Sequence, residues 1–440
     1  MIYKIIKNEY NFENNDEYFH IPIGYEGKSF IKSNILKKWK KISNNKIDSK
    51  YEDFLIIAMS VYILDKKLSR KNSFDGWTRE ISVEIPVLNY EKWNLIRDKL
   101  NKTLNFLTGD LWSVSFINTN ERYFHNKKNK SHKLKTFRFD CVSLFSGGLD
   151  SFCGAIFLSK QNKNILFVGN EEYPKLKEKQ ENLLNALKTE FKYLDLNLET
   201  FTTTTRKNFL QSENTSRSRS LLFIAAAYAY ASLNTNKEIP IYIPENGFIG
   251  MNIPLSPSRI GSCSTRTTHP IFIANINDIL SEVGIKNQLV NPFKYLSKSQ
   301  IIEEVCDSQT FKEQYINTYS CSHPAHNRYY RKPYPENCGY CYPCLIRKSS
   351  LIDIGDNTVY SKDINKKVDL KNILQSSKCS DYLAVRNSMS RFKKLNKEEV
   401  ENILVREGLI KKEDVTKFYE CYARTMDDLE KIFGDENEWN

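Results

Sequence analysis

The sequence predicts an α/β protein built on a doubly wound parallel sheet, with an α+β region before the sheet and a helical region after it. Strand-like and helix-like segments alternate between residues 138 and 352. The first of these strands leads through a small glycine-containing turn into a helix. A chain of 440 residues with 40% hydrophobic residues is also long enough for two or three cores. Alternating strands and helices are typical of a parallel sheet with crossover helices.

Residues 1–137 are predicted to form an α+β accessory domain, and no catalytic motif is visible in them. Strand patterns occur at Ile2–Ile6, Glu80–Val87 and Leu111–Phe116, and a helical pattern occurs at Glu91–Phe106. The periodicity of Tyr51–Asp65 does not distinguish a strand from a short helix. The simplest role for this region is dimerisation or docking of a partner.

The net charge of +12 is compatible with a nucleotide or nucleic acid, or equally with a solvated lysine surface, because the basic residues are scattered. Nucleic acid is not the favoured partner, since no clear RNA-binding motif is visible. No run approaches the ~20 apolar residues of a membrane span. Met1-Ile2-Tyr3-Lys4 does not begin a signal peptide. A cytoplasmic protein is therefore expected, with ten cysteines that are free or metal-bound and no membrane partner.

The central motif of the chain is Ser146-Gly147-Gly148-Leu149-Asp150-Ser151, which follows the apolar strand Phe139–Phe145 and precedes a helix. Glycines let the backbone approach a phosphate, and the first N–H groups of a helix point towards such an anion. Ser146 and Ser151 add hydroxyl donors. Asp150 repels a bare phosphate, so its predicted task is to hold Mg²⁺ beside it. The turn lacks the Gly-Lys-Ser/Thr ending of the P-loop.

Further strands and helices continue the alternation. Strands are predicted at Asn164–Val168, Tyr193–Phe201 and Ile239–Ile243, and helices are predicted at Lys175–Phe191 and Leu221–Leu233. Ligands of such sheets bind beyond the carboxyl ends of the strands, where the motif also lies.

Three other stretches at strand ends or helix starts carry candidate site residues. Arg219 opens an apolar helix and can reach phosphate or carboxylate, although a surface arginine pair is the alternative. Lys298 follows the predicted N-cap Ser297, where an anionic ligand would offset its unfavourable interaction with the helix dipole; a solvated lysine is the alternative. A long polar loop after the fourth strand is predicted to contact the substrate, with a disordered loop as the alternative. Its candidate residues are Glu245, Asn246, Arg259, Arg266, Thr267 and His269.

Three cysteines within seven residues, Cys338, Cys341 and Cys344, predict a closed structural zinc site. A fourth ligand is needed, and Cys321 is the nearest thiol, with His323 and His326 as alternatives. Beyond residue 352 the pattern predicts a helical region, 353–440, without recognisable chemistry.

The motif Ser-Gly-Gly-x-Asp-Ser resembles the PP-loop of the N-type ATP pyrophosphatases, which form an adenylate and release pyrophosphate. Combined with Cys, then Cys-Gly-x-Cys-x-x-Cys-x-x-Arg, it resembles the 7-cyano-7-deazaguanine synthase (QueC) family over residues 139–350. This resemblance implies the adenine nucleotide alpha hydrolase-like fold, with ATP, Mg²⁺ and Zn²⁺ as cofactors. Residues 146–151 would then bind ATP, Asp150, Lys298 and Arg219 would act in catalysis, and the four cysteines would bind zinc.

The resemblance further implies adenylation of the carboxylate of 7-carboxy-7-deazaguanine, followed by transfer of the acyl group to an amine. Two departures exist: Val168–Tyr173 replaces the family's Gly-Gln-type segment, and this chain is about twice the family's length. The longer chain is more similar to the QueC-like proteins of Qat anti-phage operons, where a partner protein from the same operon could replace ammonia as acceptor. The alternatives are a tRNA-modifying PP-loop enzyme and a non-catalytic ATP-binding scaffold of a defence complex.

Overall fold

The computed structural model of the chain describes residues from the first strand to the last helix. The described residues are 1–7, 14–23, 30–35, 48–123, 138–171, 174–205, 213, 217–234, 236, 238–253, 255, 266–323, 337–376, 379–406, 408 and 410–433.

The N-terminal region contains a four-stranded parallel sheet. Its chain order is β1 (Ile2–Ile6), β2 (Tyr18–Pro22), β3 (Ile31–Ser33), α1 (Ser49–Lys67), β4 (Glu80–Val87), α2 (Tyr90–Leu95), α3 (Arg97–Thr108) and β5 (Leu111–Asn118). The spatial order of the sheet is β2-β1-β4-β5, and every neighbouring pair is parallel. The sequence predicted an α+β arrangement here; the structure differs, because helices connect parallel strands.

Helix α1 explains why periodicity did not identify this arrangement. Almost all of its residues are buried, including the polar residues Glu52, Asp53 and Asp65. A helix that is buried on all sides has no amphipathic period, so its sequence does not separate it from a buried strand.

The second sheet has five parallel strands and carries the glycine motif. Its chain order is β6 (Cys141–Leu144), α4 (Leu149–Lys160), β7 (Ile165–Asn170), α5 (Pro174–Glu190), β8 (Leu196–Phe201), β9 (Thr203–Thr205), α6 (Arg219–Ala231), β10 (Ile241–Tyr242), α7 (Gly247–Met251), α8 (Pro270–Val283) and β11 (Leu289–Val290). The spatial order of the sheet is β11-β10-β6-β7-β8.

This order confirms the predicted parallel sheet. The chain starts at the centre with β6, moves outwards through β7 and β8, and returns to the other side for β10 and β11. Crossover connections between parallel strands of one sheet are right-handed in nearly all proteins, and this order then predicts helices on both faces. The strand order reverses between β6 and β10, and the crevice beyond their carboxyl ends is where ligands bind in such sheets.

The two sheets share one hydrophobic core. Helix α1 packs along α6, and α3 packs along α8. The short strands β3 and β9 pair antiparallel, and the Tyr51 hydroxyl donates to Asn287 Oδ1 at 2.6 Å. The predicted domain boundary at 137/138 falls at residues 124–137, which lie outside the described residues.

The remaining helices follow β11, and those from residue 342 onwards pack with the four cysteines in one core. They are α9 (Lys298–Glu303), α10 (Gln309–Gln314), α11 (Tyr342–Leu351), α12 (Lys367–Leu374), α13 (Cys379–Phe392), α14 (Lys397–Arg406) and α15 (Lys412–Phe433). The long helix α15 contacts α7, α9 and α11. In the described part of the chain, no helix is long and apolar enough to cross a membrane.

Candidate functional site

The Ser146–Ser151 segment forms a tight turn between β6 and α4. The Gly148 N–H donates to Ser146 Oγ at 3.2 Å, and the two serine hydroxyls lie 3.0 Å apart. Gly147 has φ +83°, in the left-handed region that favours glycine. A Cβ at Gly148 would lie 3.2 Å from the carbonyl oxygen of Tyr319. Both glycines are therefore required by the backbone path of the turn.

Two residues just before Cys321 close this turn, and neither was predicted from the sequence. The Tyr319 N–H donates to the Gly147 carbonyl at 2.9 Å, and the Leu149 N–H donates to Ser320 Oγ at 3.4 Å. Their position directly before Cys321 could have identified them, because a metal ligand restricts the positions of its neighbours in the chain. The turn and the cysteine segment are thus in direct contact.

Asp150 lies at the centre of a buried polar cluster beyond β6 and β10. Lys298 Nζ, from the first residue of α9, donates to Asp150 Oδ1. Asn246 Nδ2, from the residue preceding α7, donates to Asp150 Oδ2 at 2.7 Å. Asp150 is 6% exposed and Lys298 is 7% exposed. The structure therefore brings together three predicted site residues from three separate elements.

Glu245 adds a second carboxyl group to this cluster. Burial raises the pKa of Glu245 well above its ordinary value, and the adjacent Asp150 carboxylate raises it further. Burial alone would also raise the pKa of Asp150, but the charge of Lys298 and hydrogen bonds from Glu245, Lys298 and Asn246 bring that pKa below its ordinary range. The two adjacent carboxyl groups therefore differ: burial and the Asp150 charge favour the protonated form of Glu245, whereas Lys298, Glu245 and Asn246 favour the ionised form of Asp150.

The backbone on both sides of Lys298 is fixed by specific hydrogen bonds. Ser297 is the N-cap of α9, as predicted, and forms a capping box with Gln300. From α15, Asp428 accepts a hydrogen bond from Ser299 Oγ, and Arg424 pairs with Glu303 at 2.7 Å. The last described helix therefore braces the helix that carries Lys298.

Arg219 opens α6, as the sequence indicates, and is half-buried. The preceding Ser218 donates through both N–H and Oγ to Asp65 Oδ2, each at 2.8 Å. The start of α6 is therefore anchored to the N-terminal region. The catalytic role of Arg219 stays a prediction.

The other predicted substrate residues of the long loop have contacts outside the Asp150 cluster where the structure describes them. Arg266 lies over the Phe106 ring, 4.8 Å from its centroid. Thr267 is buried, and His269 caps α8 by accepting a backbone N–H at 3.3 Å. Burial and the nearby Arg266 lower the pKa of His269 to about 4. Arg259 lies outside the described residues.

The four predicted cysteine ligands converge, and all are buried. Their sulfur atoms lie within 4.8 Å of one another; the ligands are Cys321, Cys338, Cys341 and Cys344. Two sulfur pairs are separated by 3.8 and 3.9 Å. Ligand bonds of about 2.3 Å in a tetrahedron imply sulfur separations of about 3.8 Å, whereas a disulfide requires about 2.05 Å. The cluster can therefore bind a metal ion, and its donor set is consistent with zinc.

The alternative ligand His323 lies at the border of the cysteine cluster. Its backbone N–H donates to Cys321 Sγ at 3.4 Å, and its ring Nδ1 lies 3.8 Å from Cys338 Sγ. The other alternative, His326, lies outside the described residues. Arg347 is fully buried and donates to Thr318 Oγ1 at 2.6 Å, which supports the segment leading to Cys321.

The carboxyl edge of the five-stranded sheet brings hydroxyl, carboxylate and ammonium groups close to one glycine turn. The turn offers two hydroxyl groups and a glycine backbone, and Asp150 offers a carboxylate of the kind that Mg²⁺ prefers. Lys298 supplies one cation. Lys179 of α5 supplies another; it lies over the Tyr319 ring at 5.6 Å, and burial and the nearby Lys175 lower its pKa to about 8. These residues fit an anionic ligand accompanied by a divalent cation.

A search of known protein families, curated proteins and solved structures gives no match to this chain.

Proposed function

We propose that the protein is an ATP-dependent, AMP-forming C–N ligase of the QueC-like PP-loop type. The observation that carries this proposal is the convergence of the Ser146–Ser151 turn with Asp150, Asn246, Glu245 and Lys298 at the reversal point of a parallel sheet. A scaffold that only preserved the fold would have no need of a buried carboxylate and ammonium pair beside a glycine turn.

In the proposed reaction, a substrate carboxylate oxygen attacks the α-phosphorus of ATP. The new bond joins that oxygen to phosphorus, while the bond between the α-phosphorus and the bridging oxygen breaks and pyrophosphate leaves. Lys298 and the turn N–H groups offset the charge that grows on the leaving phosphates. Mg²⁺, when bound at Asp150, supplies further positive charge beside them.

An amine nitrogen then attacks the acyl carbon of the adenylate. The C–N bond forms, the C–O bond to AMP breaks, and the amine loses one proton. Glu245 and Asn246 lie beside Asp150 and in this proposal hold the polar edge of the substrate. We assign 7-carboxy-7-deazaguanine or a related deazapurine acid as the substrate, and ammonia or a partner protein as the amine.

The four-cysteine cluster holds zinc in this proposal and has a structural task. Four thiolate ligands leave no open coordination position for water or substrate. Thiolates persist in a reducing cytoplasm, where we place the protein, acting in anti-phage defence.

The decisive experiment measures release of AMP and pyrophosphate from ATP–Mg²⁺ by the full chain, with and without 7-carboxy-7-deazaguanine. We expect AMP and pyrophosphate in equal amounts, and only with the acid. Mass spectrometry of the products and of co-purifying proteins then distinguishes an amide of ammonia from a protein adduct.

The absence of AMP with this acid, despite measurable ATP binding, would contradict the substrate assignment. Stable tRNA binding with AMP formation would favour a tRNA-modifying enzyme. Failure to bind ATP at all would overturn the ligase and favour a scaffold.

A further inference from the structure

The first sheet has a polar carboxyl edge of its own, separate from the Asp150 cluster. Its strand order, β2-β1-β4-β5, reverses between β1 and β4. Lys7 directly follows β1, and Asn89 lies two residues after β4. Glu52 and Asp53 belong to the first turns of α1, which enters from the same edge. Reversal points of parallel sheets are the places where such folds bind ligands.

Asp53 shows what a fully paired carboxylate looks like at this edge. Its two oxygens accept from the N–H groups of Leu88 and Asn89 at 2.7 and 2.9 Å, and from Asn89 Nδ2 at 2.8 Å. Asp53 thereby ties α1 to the end of β4. Its task is accounted for by the fold.

Glu52, the neighbour of Asp53, has a different environment. It is 0% exposed, and its Oε1 accepts from the Tyr123 N–H at 2.6 Å. Its other oxygen, Oε2, is buried and has no hydrogen-bond partner within the described residues. Buried polar atoms in native proteins are nearly always paired with protein, water or ligand. The orphaned Oε2 is thus an acceptor that the described residues do not use.

Lys7 supplies donors at the same edge of the sheet. It is 5% exposed, and its Nζ donates to the backbone carbonyl of Glu121 at 3.2 Å. An ammonium has three N–H donors, so this single contact leaves capacity for others. The two groups feel each other's charge, since Glu52 raises the pKa of Lys7 against the larger lowering caused by burial.

The charges at this edge restrict the ligand. The charges that act on Lys7 come from the acidic residues Glu52, Asp53 and Glu121 and from the basic Arg122, so acidic groups outnumber basic ones at this edge and a strongly anionic ligand is disfavoured by repulsion. A cationic ligand would be repelled by Lys7. An uncharged molecule that presents a donor next to an acceptor matches both groups, and the sugar diol or base edge of a nucleoside has this pattern.

We propose that the carboxyl edge of the first sheet, between β1 and β4, is a second binding site, which takes an uncharged nucleoside-like ligand. A hydroxyl or N–H of the ligand donates to Glu52 Oε2, and a neighbouring oxygen or ring nitrogen accepts from Lys7 Nζ. Acidic residues at such edges bind the sugar hydroxyls of nucleotides in related parallel folds. This site does not depend on the activity proposed for the Asp150 cluster.

The test is calorimetric titration of the full chain with adenosine and with guanosine, which lack the phosphates that the Ser146–Ser151 turn would bind. We expect saturable binding at one site per chain. Similar affinity for both nucleosides assigns the contact to the sugar, and binding of only one assigns it to the base. Glu52→Gln and Lys7→Gln should each weaken binding at least tenfold.

Two control variants show whether the nucleoside binds at this edge and not elsewhere on the protein. Lys4→Gln changes a lysine of the same strand that is 36% exposed and pairs with Glu84, and it should bind like the wild type. Asp150→Asn should also bind like the wild type. Melting temperatures verify that each variant is folded. If Glu52→Gln does not fold, the binding measured with Lys7→Gln decides the test. Absence of saturable binding, or binding that is lost in Asp150→Asn but kept in Glu52→Gln, would overturn the proposal.

Discussion

The carboxyl edges of the two parallel sheets solve the problem of buried charge in different ways. At the five-stranded sheet, Asp150 is paired with Lys298 and bonded by Asn246, so its charge is compensated within the protein. At the four-stranded sheet, Glu52 keeps one oxygen without a partner among the described residues, and Lys7 donates to a backbone carbonyl. The edge at Asp150, whose buried charge is compensated, is preorganised for charged chemistry. The edge at Glu52, which keeps an unpaired acceptor, requires a polar ligand.

The difference also concerns support from outside each sheet. The turn at Gly147 and Leu149 is contacted by Tyr319 and Ser320, next to the cysteine cluster, and Lys298 is braced through α15. The edge at Lys7 is built from β1, α1 and the segments that follow β4 and β5. Perturbing the cysteine cluster should therefore disturb one edge and spare the other.

The largest expected effect comes from removing the central carboxylate of the compensated edge. Asp150→Ala should lower kcat/KM for AMP formation by at least ~100-fold without unfolding the protein, because positioned electrostatic groups contribute about that much. Steady-state AMP release and a thermal melt measure both quantities. Asp307→Asn is the matched control, since Asp307 also pairs with a lysine, Lys160, but its side chain is 71% exposed. AMP formation by Asp150→Ala within about threefold of wild type would refute the assignment.

The second largest effect should follow loss of a cysteine ligand. Cys341→Ser should reduce bound zinc from about one equivalent per chain and lower solubility, because metal binding energy contributes to folding. ATP affinity should fall by about tenfold or more through the contacts of Tyr319 and Ser320 with the turn. Metal analysis and ATP titration test this.

Cys306→Ser is the control for that variant, because Cys306 is half-buried and is not one of the four clustered cysteines. A full zinc equivalent retained by Cys341→Ser would show that the ligands are misassigned. Normal ATP affinity after verified metal loss would show that the cluster does not support the turn.

A smaller effect, on stability, should distinguish the uncompensated edge. Burial raises the pKa of Glu52, with Asp53 adding to it, while Lys7, the Tyr123 N–H and Arg122 oppose it. An acid whose folded pKa is raised destabilises the fold above that pKa, and the penalty disappears as the pH falls towards the unfolded value. Glu52→Gln should therefore be about 1 kcal/mol more stable than wild type at pH 7, with a difference that shrinks on acidification.

Urea unfolding at pH 7 and pH 5 measures this difference. Glu84→Gln is a suitable comparison, because the Glu84 side chain is 25% exposed and lies 3.5 Å from Lys4. A Glu52→Gln variant that is less stable than wild type at pH 7 would indicate that Glu52 is compensated after all.

The smallest expected effect concerns the hydroxyl that closes the turn. Ser320→Ala removes the acceptor of the Leu149 N–H and should weaken ATP binding by about three- to tenfold, the equivalent of one hydrogen bond. ATP titration compares it with Ser322→Ala, which changes an exposed serine two residues away. Equal affinities of the two variants would remove Ser320 from the site.

The sequence predicted those parts of the molecule that short stretches of chain encode. The turn lies between one strand and one helix, and three cysteines fall within seven residues, so both patterns are local. The parallel second sheet followed from alternating segments, and the four cysteines converge as expected. Cys321, seventeen residues from Cys338, was found because a tetrahedral site needs a fourth ligand.

What could not be predicted depends on contacts between distant residues. Asp150 meets Lys298 only because β10 and α9 return beside β6, an order that periodicity does not encode. Glu52 and Lys7 lie 45 positions apart in the sequence and match no motif. Helix α1 is buried on all sides, so the helical connection between the sheet strands β2 and β4 had no amphipathic signal.

The brace between α15 and α9 also determines when, during synthesis, the sheet edge is completed. The glycine turn leaves the ribosome long before residues 412–433, and early regions of a chain fold first. A growing chain can thus form both sheets while Ser299 still lacks Asp428 and Glu303 still lacks Arg424. The helix that carries Lys298 therefore gains its contacts with Asp428 and Arg424 only in chains that have been translated through residues 412–433.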